Sequence, residues 1–300
     1  MSNNSNYSNL FNSLEWQLER FPFDAIARSR KVEKIFLNYF TGATSLNIVD
    51  VGAGLAANTR YYVEKFPFDQ NWRLIENDPV ILGGCLQTLV QWAKAQQWKY
   101  TLSKNELKMY APNKNIGVKV ARGSLMDLDK LIDLSTINLI TANAVFDLFS
   151  KDQFQTFINI LAAQRLPLFT TLNYASMVFE PQDFADKKYI RLYENHMIQP
   201  RKSGSKMGPF CSENMIKDLE KVGYNIKTGS SDWLIKSENG NMMNYLLRFM
   251  QVAIGEILKS KIELNQLEQW ISTKKQIVKD GRLSLKVHHL DIWGQKTTIQ

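Results

Sequence analysis

The sequence predicts an α/β protein built on a mostly parallel sheet with helices on both faces. Three observations carry this. Short β-branched apolar runs, such as residues 46–51 (LNIVDV) and 137–142 (INLITA), recur along the first 173 residues. Segments of helical periodicity separate them, as parallel crossovers require. The first run ends in a glycine turn, Gly52-Ala53-Gly54, at the end of a strand where open parallel sheets hold their ligands.

In chain order, Leu14, Leu18, Ile26, Val32, Ile35, Phe36 and Phe40 predict two helices over residues 13–40, interrupted around Pro22. Residues 46–51 form the first strand, and residues 58–65 resume helically. Residues 72–76 (WRLIE) form the second strand. A helix through Leu82, Leu86, Leu89, Val90 and Trp92 follows, because Asp78 suits a cap and Pro79 the first turn. The polar stretch 103–117 reads as loop before a third strand at 118–122. Residues 137–142 are the fourth strand, leading to a helix with Phe154, Phe157, Ile158 and Leu161, and residues 167–173 (PLFTTLN) are the fifth. Simple alternation then ends. Residues 179–208 are long, polar and mixed, which predicts a lid or insertion rather than a connection. Residues 214–222 read as helix, 224–236 as a strand around Trp233, 242–258 and 264–278 as two helices, and 282–293 as an alternating last strand.

Composition narrows the class. Three hundred residues sit at the upper edge of one hydrophobic core. Hydrophobic residues at 44% and charged ones at 22% exclude a mostly disordered chain. No apolar run is long enough to span a bilayer, and the Asn/Ser-rich start is unlike a signal peptide. Cys85 and Cys211 stand in no CxxC pair, so neither a disulfide framework nor a zinc site is expected, and no histidine–carboxylate cluster has metal spacing. A cytoplasmic, metal-free protein without a membrane partner is the reading. The net charge of +8 is spread along the chain with no run of five or six basic residues, and reads as a solvated surface rather than a nucleic-acid footprint.

The chemistry lies in Asp50-Val51-Gly52-Ala53-Gly54. Glycines after a strand let the chain turn sharply and approach a ligand without a Cβ clash. The next helix presents unpaired N–H groups, and Glu76, ending the second strand, can accept from both hydroxyls of a ribose. Two cofactor classes fit. Gly52-Ala53-Gly54-Leu55-Ala56-Ala57 satisfies the G-x-G-x-x-A of a nicotinamide dinucleotide site, with Glu76 22 residues after Gly54. Asp50 speaks against it, since a carboxylate repels a pyrophosphate and attracts a sulfonium with an ammonium group.

Together these residues resemble the class I S-adenosylmethionine (SAM)-dependent methyltransferases. Asp50–Gly54 is similar to the family's first motif, with Ala56 where a third glycine is usual. Trp72-Arg73-Leu74-Ile75-Glu76-Asn77-Asp78-Pro79 is similar to a bacterial branch with a tryptophan-led second strand. Gly123-Ser124-Leu125 stands where the family places Gly-Asp-Ala beside adenine, Ser124 replacing the aspartate. Ala142–Leu148 resembles the segment after strand four, and the branch is echoed at Phe23–Arg28, Tyr174, Asn195-His196 and His289–Asp291.

The resemblance covers residues 23–293. It implies a Rossmann-like seven-stranded methyltransferase sheet whose last strand is antiparallel and inserted beside the sixth. It also implies an N-terminal helical cap, added helices before the last strand, and SAM as cofactor. The division follows: a disordered tail at 1–12 and one domain at 13–300. Within it lie a cap at 13–41, a cofactor-binding half at 42–173, a lid or insertion at 174–212, and a C-terminal half at 213–300 with a two-helix insertion.

The implied cofactor residues are Asp50, Gly52, Ala53, Gly54, Glu76, Asn77, Ser124 and Leu125, with Asn143 near the methionine part and Arg28 on its carboxylate. The candidate catalytic residues are Asp147 deeper in the pocket, Tyr174 bordering the acceptor, and His196 as a general base near neutral pH. Each has a plainer alternative: Asp50 and Asp147 as turn or cap residues, Arg28 as a solvated charge, Tyr174 as packing, His196 as a structural histidine. Methyl transfer to a small-molecule nucleophile is the function implied. The alternatives are an NAD(P)-dependent oxidoreductase, a non-catalytic SAM-binding protein and, less favoured, RNA methylation. Base methylation finds little support, because residues 143–147 hold no cysteine nucleophile and no Asn/Asp-Pro-Pro-aromatic loop exists.

Overall fold

The computed structural model describes residues 10, 13–201 and 204–296; the tail assigned to residues 1–12 lies outside them except for Leu10. Helices α1 (Leu14–Ala27) and α2 (Arg30–Tyr39) precede β1 (Ser45–Val51), α3 (Ala57–Tyr62), β2 (Asp69–Glu76) and α4 (Pro79–Ala95). Next come β3 (Lys99–Leu102), β4 (Glu106–Ala111), β5 (Lys114–Arg122), β6 (Leu139–Asn143), α5 (Lys151–Ala163), β7 (Leu168–Glu180) and α6 (Asp186–Met197). A ribbon of β8 (Pro200–Arg201) and β9 (Gly204–Ser205) leads to α7 (Cys211–Lys221), β10 (Tyr224–Ser230) and β11 (Trp233–Lys236). Helices α8 (Gly240–Ile257) and α9 (Lys261–Lys279) and strand β12 (Ser284–Lys296) close the described chain.

The main sheet runs β10-β12-β7-β6-β1-β2-β5-β4-β3, with β11 also paired to β12. Strands β5, β2, β1, β6 and β7 are parallel neighbours. Strand β12 is antiparallel to both β7 and β10, so the last strand lies reversed between the fifth and sixth, as the resemblance implies. A dinucleotide-binding sheet of order 3-2-1-4-5-6 carries no such strand. Alternation in β1 covers both faces: Leu46 and Ile48 pack under α2, α3 and α4, while Val49 and Val51 pack toward α5 and α7. Among the described residues no helix is long and apolar enough to cross a membrane.

Several local expectations are corrected. Pro22 does not interrupt the first helix. It sits on the exposed side, where water can reach the Leu18 carbonyl left without its amide partner, and Arg20 clasps Asp24 across it at 3.1 Å. The break falls at Arg28-Ser29, where the Ser29 N–H donates to Asp291 Oδ2 at 2.8 Å. The stretch 103–117 is not loop. Strand β4 buries Leu107 and Met109 and exposes Lys108 and Tyr110, and it forms an antiparallel meander with β3 and β5. The fifth strand extends to Glu180, because β12 pairs along its whole length. Residues 224–236 are two strands, split where Asp232 turns to accept the His289 N–H.

The long outer halves of β7 and β12 carry a third core with α1, α6, α8 and α9. At its edge Lys274, fully buried, meets Asp186 at 2.6 Å, and Trp270 Nε1 donates to the same carboxylate. Breaking a buried pair leaves an uncompensated charge. Lys274→Met is therefore expected to destabilise the protein by about 3 kcal/mol in urea denaturation, and Asp186→Asn added to it should recover part of that loss.

Candidate functional site

At the carboxyl edge of β1, β2, β5 and β6 lies a cleft of about 290 Å³. Gly52, Ala53, Gly54, Glu76, Asn77, Ser124, Leu125 and Asn143 line it, all of them sequence-assigned cofactor residues. Among the larger hollows, two of about 690 and 750 Å³ lie outside α1 and α8 and between α4 and the β3–β4 hairpin, away from these groups, and one of about 570 Å³ lies beside the β8–β9 ribbon and shares Lys206 with the cleft.

The cleft floor depends on backbone that side chains resist. Gly52 and Gly54 have φ of +61° and +57°. A Cβ on Gly52 would stand 2.5 Å from Val145 Cγ2, and one on Gly54 2.9 Å from Gln17 Oε1. Ala56, at the usual third glycine, takes the same left-handed conformation at φ 60° and opens α3. Ala144 and Leu172, at the end of β6 and within β7, are left-handed too, a strain characteristic of functional sites.

Glu76 is fixed by three backbone donors. Asn77 and Asp78 N–H reach Oε1 at 2.8 and 2.9 Å, and Gly54 N–H reaches Oε2 at 3.1 Å. Oε2 retains a lone pair for a further donor. Asp50 lies at the same edge but beneath the turn, not in the lining. It accepts from Asn58 Nδ2 at 2.9 Å and Thr141 Oγ1 at 2.8 Å, so it ties α3 and β6 to the glycine turn. Burial pushes its carboxyl up to about 6, against those hydrogen bonds and the charge of Arg28. Asn143 accepts from Thr171 Oγ1 and donates to Asp24 Oδ2, which joins the end of β6 to α1.

Arg28 does not reach the cleft. Its guanidinium is buried over the rings of Tyr61 and Tyr62 and donates to Tyr62 OH at 3.1 Å and Thr171 Oγ1 at 3.3 Å. From there it is a counter-charge behind the sheet edge rather than a ligand for a cofactor carboxylate. His196 is also displaced. It is buried on α6, with Nε2 2.9 Å from Glu256 Oε2 on α8, and lines neither the cleft nor its neighbouring space. That position does not suit a general base.

The neighbouring space is a chamber of about 60 Å³. Asp147, Tyr174 and His289 line it with Trp16, Tyr193 and Trp233, and Arg20 and Ala144 belong to both spaces. Burial pushes Asp147 up to about 6. Tyr174 OH donates to Glu194 Oε1 at 3.1 Å, and burial raises its phenol well above the usual value. His289 is pushed down to about 3 by burial and by the charge of Arg20, so its ring is neutral. Sequence reasoning missed Gln17, Arg20 and Lys206 in the cleft. Arg20 had a signal, a positive charge four residues before Asp24, the spacing of an ion pair on one helix face. Among the described residues no group of three or more His, Cys, Asp or Glu could hold a metal ion.

No family model and no curated protein matches the sequence. Solved structures do match in shape. A cyclopropane-fatty-acyl-phospholipid synthase-like protein from Lactobacillus casei superposes with a TM-score of 0.52 at 9% identity, over 93% of this chain and 92% of that one. The cyclopropane synthase MmaA2 from Mycobacterium tuberculosis gives 0.47 at 10% identity, over 97% and 100%. A Haemonchus contortus phosphoethanolamine N-methyltransferase, in complex with S-adenosylhomocysteine, gives 0.44 at 9% identity, over 99% and 62%. At such identities the likeness is one of fold, a Rossmann-like α/β sheet, and the first of the three carries it.

Proposed function

We propose that this chain is a cytoplasmic SAM-dependent methyltransferase acting on a small-molecule nucleophile. The observation that carries the reading is the cleft floor, where two left-handed glycines lie beside a carboxylate held by three amides and still open to a donor. Gly52, Ala53 and Gly54 would let the cofactor lie close to the backbone. Glu76 would accept from its ribose, Asn77, Ser124 and Leu125 would border the adenine, and Asn143 the methionine end. Bound there, SAM supplies a methyl group on a positively charged sulfur. The protein's own part is orientation, which contributes about 7–11 kcal/mol to such reactions. Arg20 and Ala144 border both spaces, so an acceptor has a place beside the cofactor. Both cysteines are free and buried, in keeping with a reducing compartment. A dinucleotide reading has less support, given the reversed β12 and the buried carboxylate of Asp50 at the same edge.

Calorimetric titration with SAM and S-adenosylhomocysteine tests this. Saturable binding is expected, weakened about tenfold or more in Glu76→Ala, which loses a charged hydrogen-bond acceptor. Stabilisation by NAD instead, with no saturable SAM binding, ends the reading.

A further inference from the structure

Four buried polar atoms without partners surround one small space. Trp16 Nε1, Trp233 Nε1, Asp147 Oδ1 and His289 Nδ1 all belong to side chains lining the chamber beside the cleft. These residues are 2%, 4%, 8% and 6% exposed. Buried polar groups are nearly always paired, so four orphans around one cavity mark a place shaped for a ligand's hydrogen bonds rather than for packing. At about 60 Å³ the chamber holds about four water-sized groups, the bulk of a small head group.

The polarity of the orphans limits what fits. Indole N–H groups only donate, so Trp16 and Trp233 require an acceptor such as oxygen. An ionised Asp147 only accepts, and requires an N–H or O–H. The walls add Tyr174, Tyr193 and Phe249, an aromatic lining that favours a cation. Arg20, over the rings of Trp16 and Trp233 at 5.7 and 5.3 Å, already has its counter-charge in Asp24.

The available bases separate an amine from a hydroxyl. His289 binds a proton too weakly, and the Tyr174 phenol too tightly, for either to strip an aliphatic hydroxyl. Asp147 is a weak base as well, yet its unpartnered oxygen belongs to the chamber lining, where it can pair with an ammonium and take one of its protons.

Building on the methyltransferase reading, we propose that the chamber holds the reacting head of the acceptor, a small amine that also carries an oxygen function. Its nitrogen donates to Asp147 and its oxygen accepts from Trp16 and Trp233, with neutral His289 completing the set. The bound ammonium has no lone pair, so it first gives a proton to Asp147, and the lone pair so freed forms the N–C bond to the methyl group. The C–S bond breaks with its electron pair left on sulfur, the methylated nitrogen carries the positive charge, and the proton held by Asp147 passes on to solvent.

Binding to the whole protein, with and without S-adenosylhomocysteine, is followed by calorimetry and tryptophan fluorescence. The probes are ethanolamine, glycine and β-alanine, each against its oxygen counterpart: ethylene glycol, glycolate and 3-hydroxypropanoate. At least one amine is expected to bind saturably and about tenfold or more tighter than its counterpart. Asp147→Asn should erase that preference. Trp233→Phe, which keeps a ring and loses the N–H, should weaken the amine several-fold. Equal binding of the oxygen counterparts, or unchanged amine affinity in Asp147→Asn, overturns the proposal. If all three amines fail to bind while SAM binds normally, the amine assignment falls and the methyltransferase reading stands. If an amine binds with the stated preference and SAM does not, the chamber assignment stands and the methyltransferase reading falls.

Discussion

Gly52→Ala is expected to lower SAM affinity by about 100-fold or more, through two separate costs. Gly52 sits at φ +61°, where a side chain costs about 1–2 kcal/mol. Its Cβ would also stand 2.5 Å from Val145 Cγ2, and valine cannot swing away because branching at Cβ holds χ1. The turn must therefore shift, and with it the backbone that the cofactor would approach. Three companion variants separate the costs. Val145→Ala in the Gly52→Ala background should restore affinity in part, by removing the collision and leaving the torsional strain. Gly54→Ala meets only the far end of Gln17, a flexible side chain, and should be milder in collision though similar in strain. Gly42→Ala, at φ +90° with open space around it, should lower the melting temperature and leave SAM binding as it was. Equal affinity of Gly52→Ala and the parent protein for SAM would mean that the turn is not where the cofactor lies.

The parts of this site that could be read from the sequence are those local in the chain. The glycine turn and Asp50 lie within five consecutive residues, and β1 reads as a strand because both of its faces are apolar. Glu76 follows from the end of the neighbouring strand, whose register with β1 places Ile75 opposite Val51. The chamber was legible only in part: the resemblance pointed to Asp147 and Tyr174, but Trp16 and Trp233 come from separate segments that meet them only through the sheet and its covering helices. His196 shows the same limit from the other side. Its residue type suits a base, but its neighbour Glu256 is 60 residues away, and that pairing turns the imidazole out of the chamber. The β3–β4 hairpin escaped because short strands with one buried face alternate over only a few residues, and Leu107 and Met109 are a thin signal among lysines. Pro22 misled because proline excludes an amide but not a helix whose freed carbonyl faces water.

Asp147→Asn is expected to make the protein more stable at neutral pH while cutting methyl transfer to an amine by about 10²–10⁴-fold. The stability gain follows from linkage. Burial raises the folded-state carboxyl to about 6 from an ordinary 3.8, so the folded chain holds this proton more tightly than the unfolded one. That stabilisation is fully present below about pH 4 and is lost as pH rises through about 6. Above that, an ionised Asp147 costs the fold about 3 kcal/mol, screened only in part by Arg20. The groups around it do not cancel the effect. Tyr174 and the buried thiol of Cys211 stay neutral, and His289 is neutral throughout the window. Asparagine keeps the shape and removes the charge, so the gain should be largest at pH 7–8 and vanish near pH 4 in parallel urea titrations. A residue that costs stability in its working state is hard to account for by packing, and easy to account for if an ammonium comes to meet it. An amine ligand should therefore stabilise the parent protein more at pH 7.5 than at pH 4.5 and leave Asp147→Asn nearly indifferent to pH. If the variant is no more stable than the parent at pH 7.5, Asp147 is paired in solution and the chamber has no unmet charge to offer.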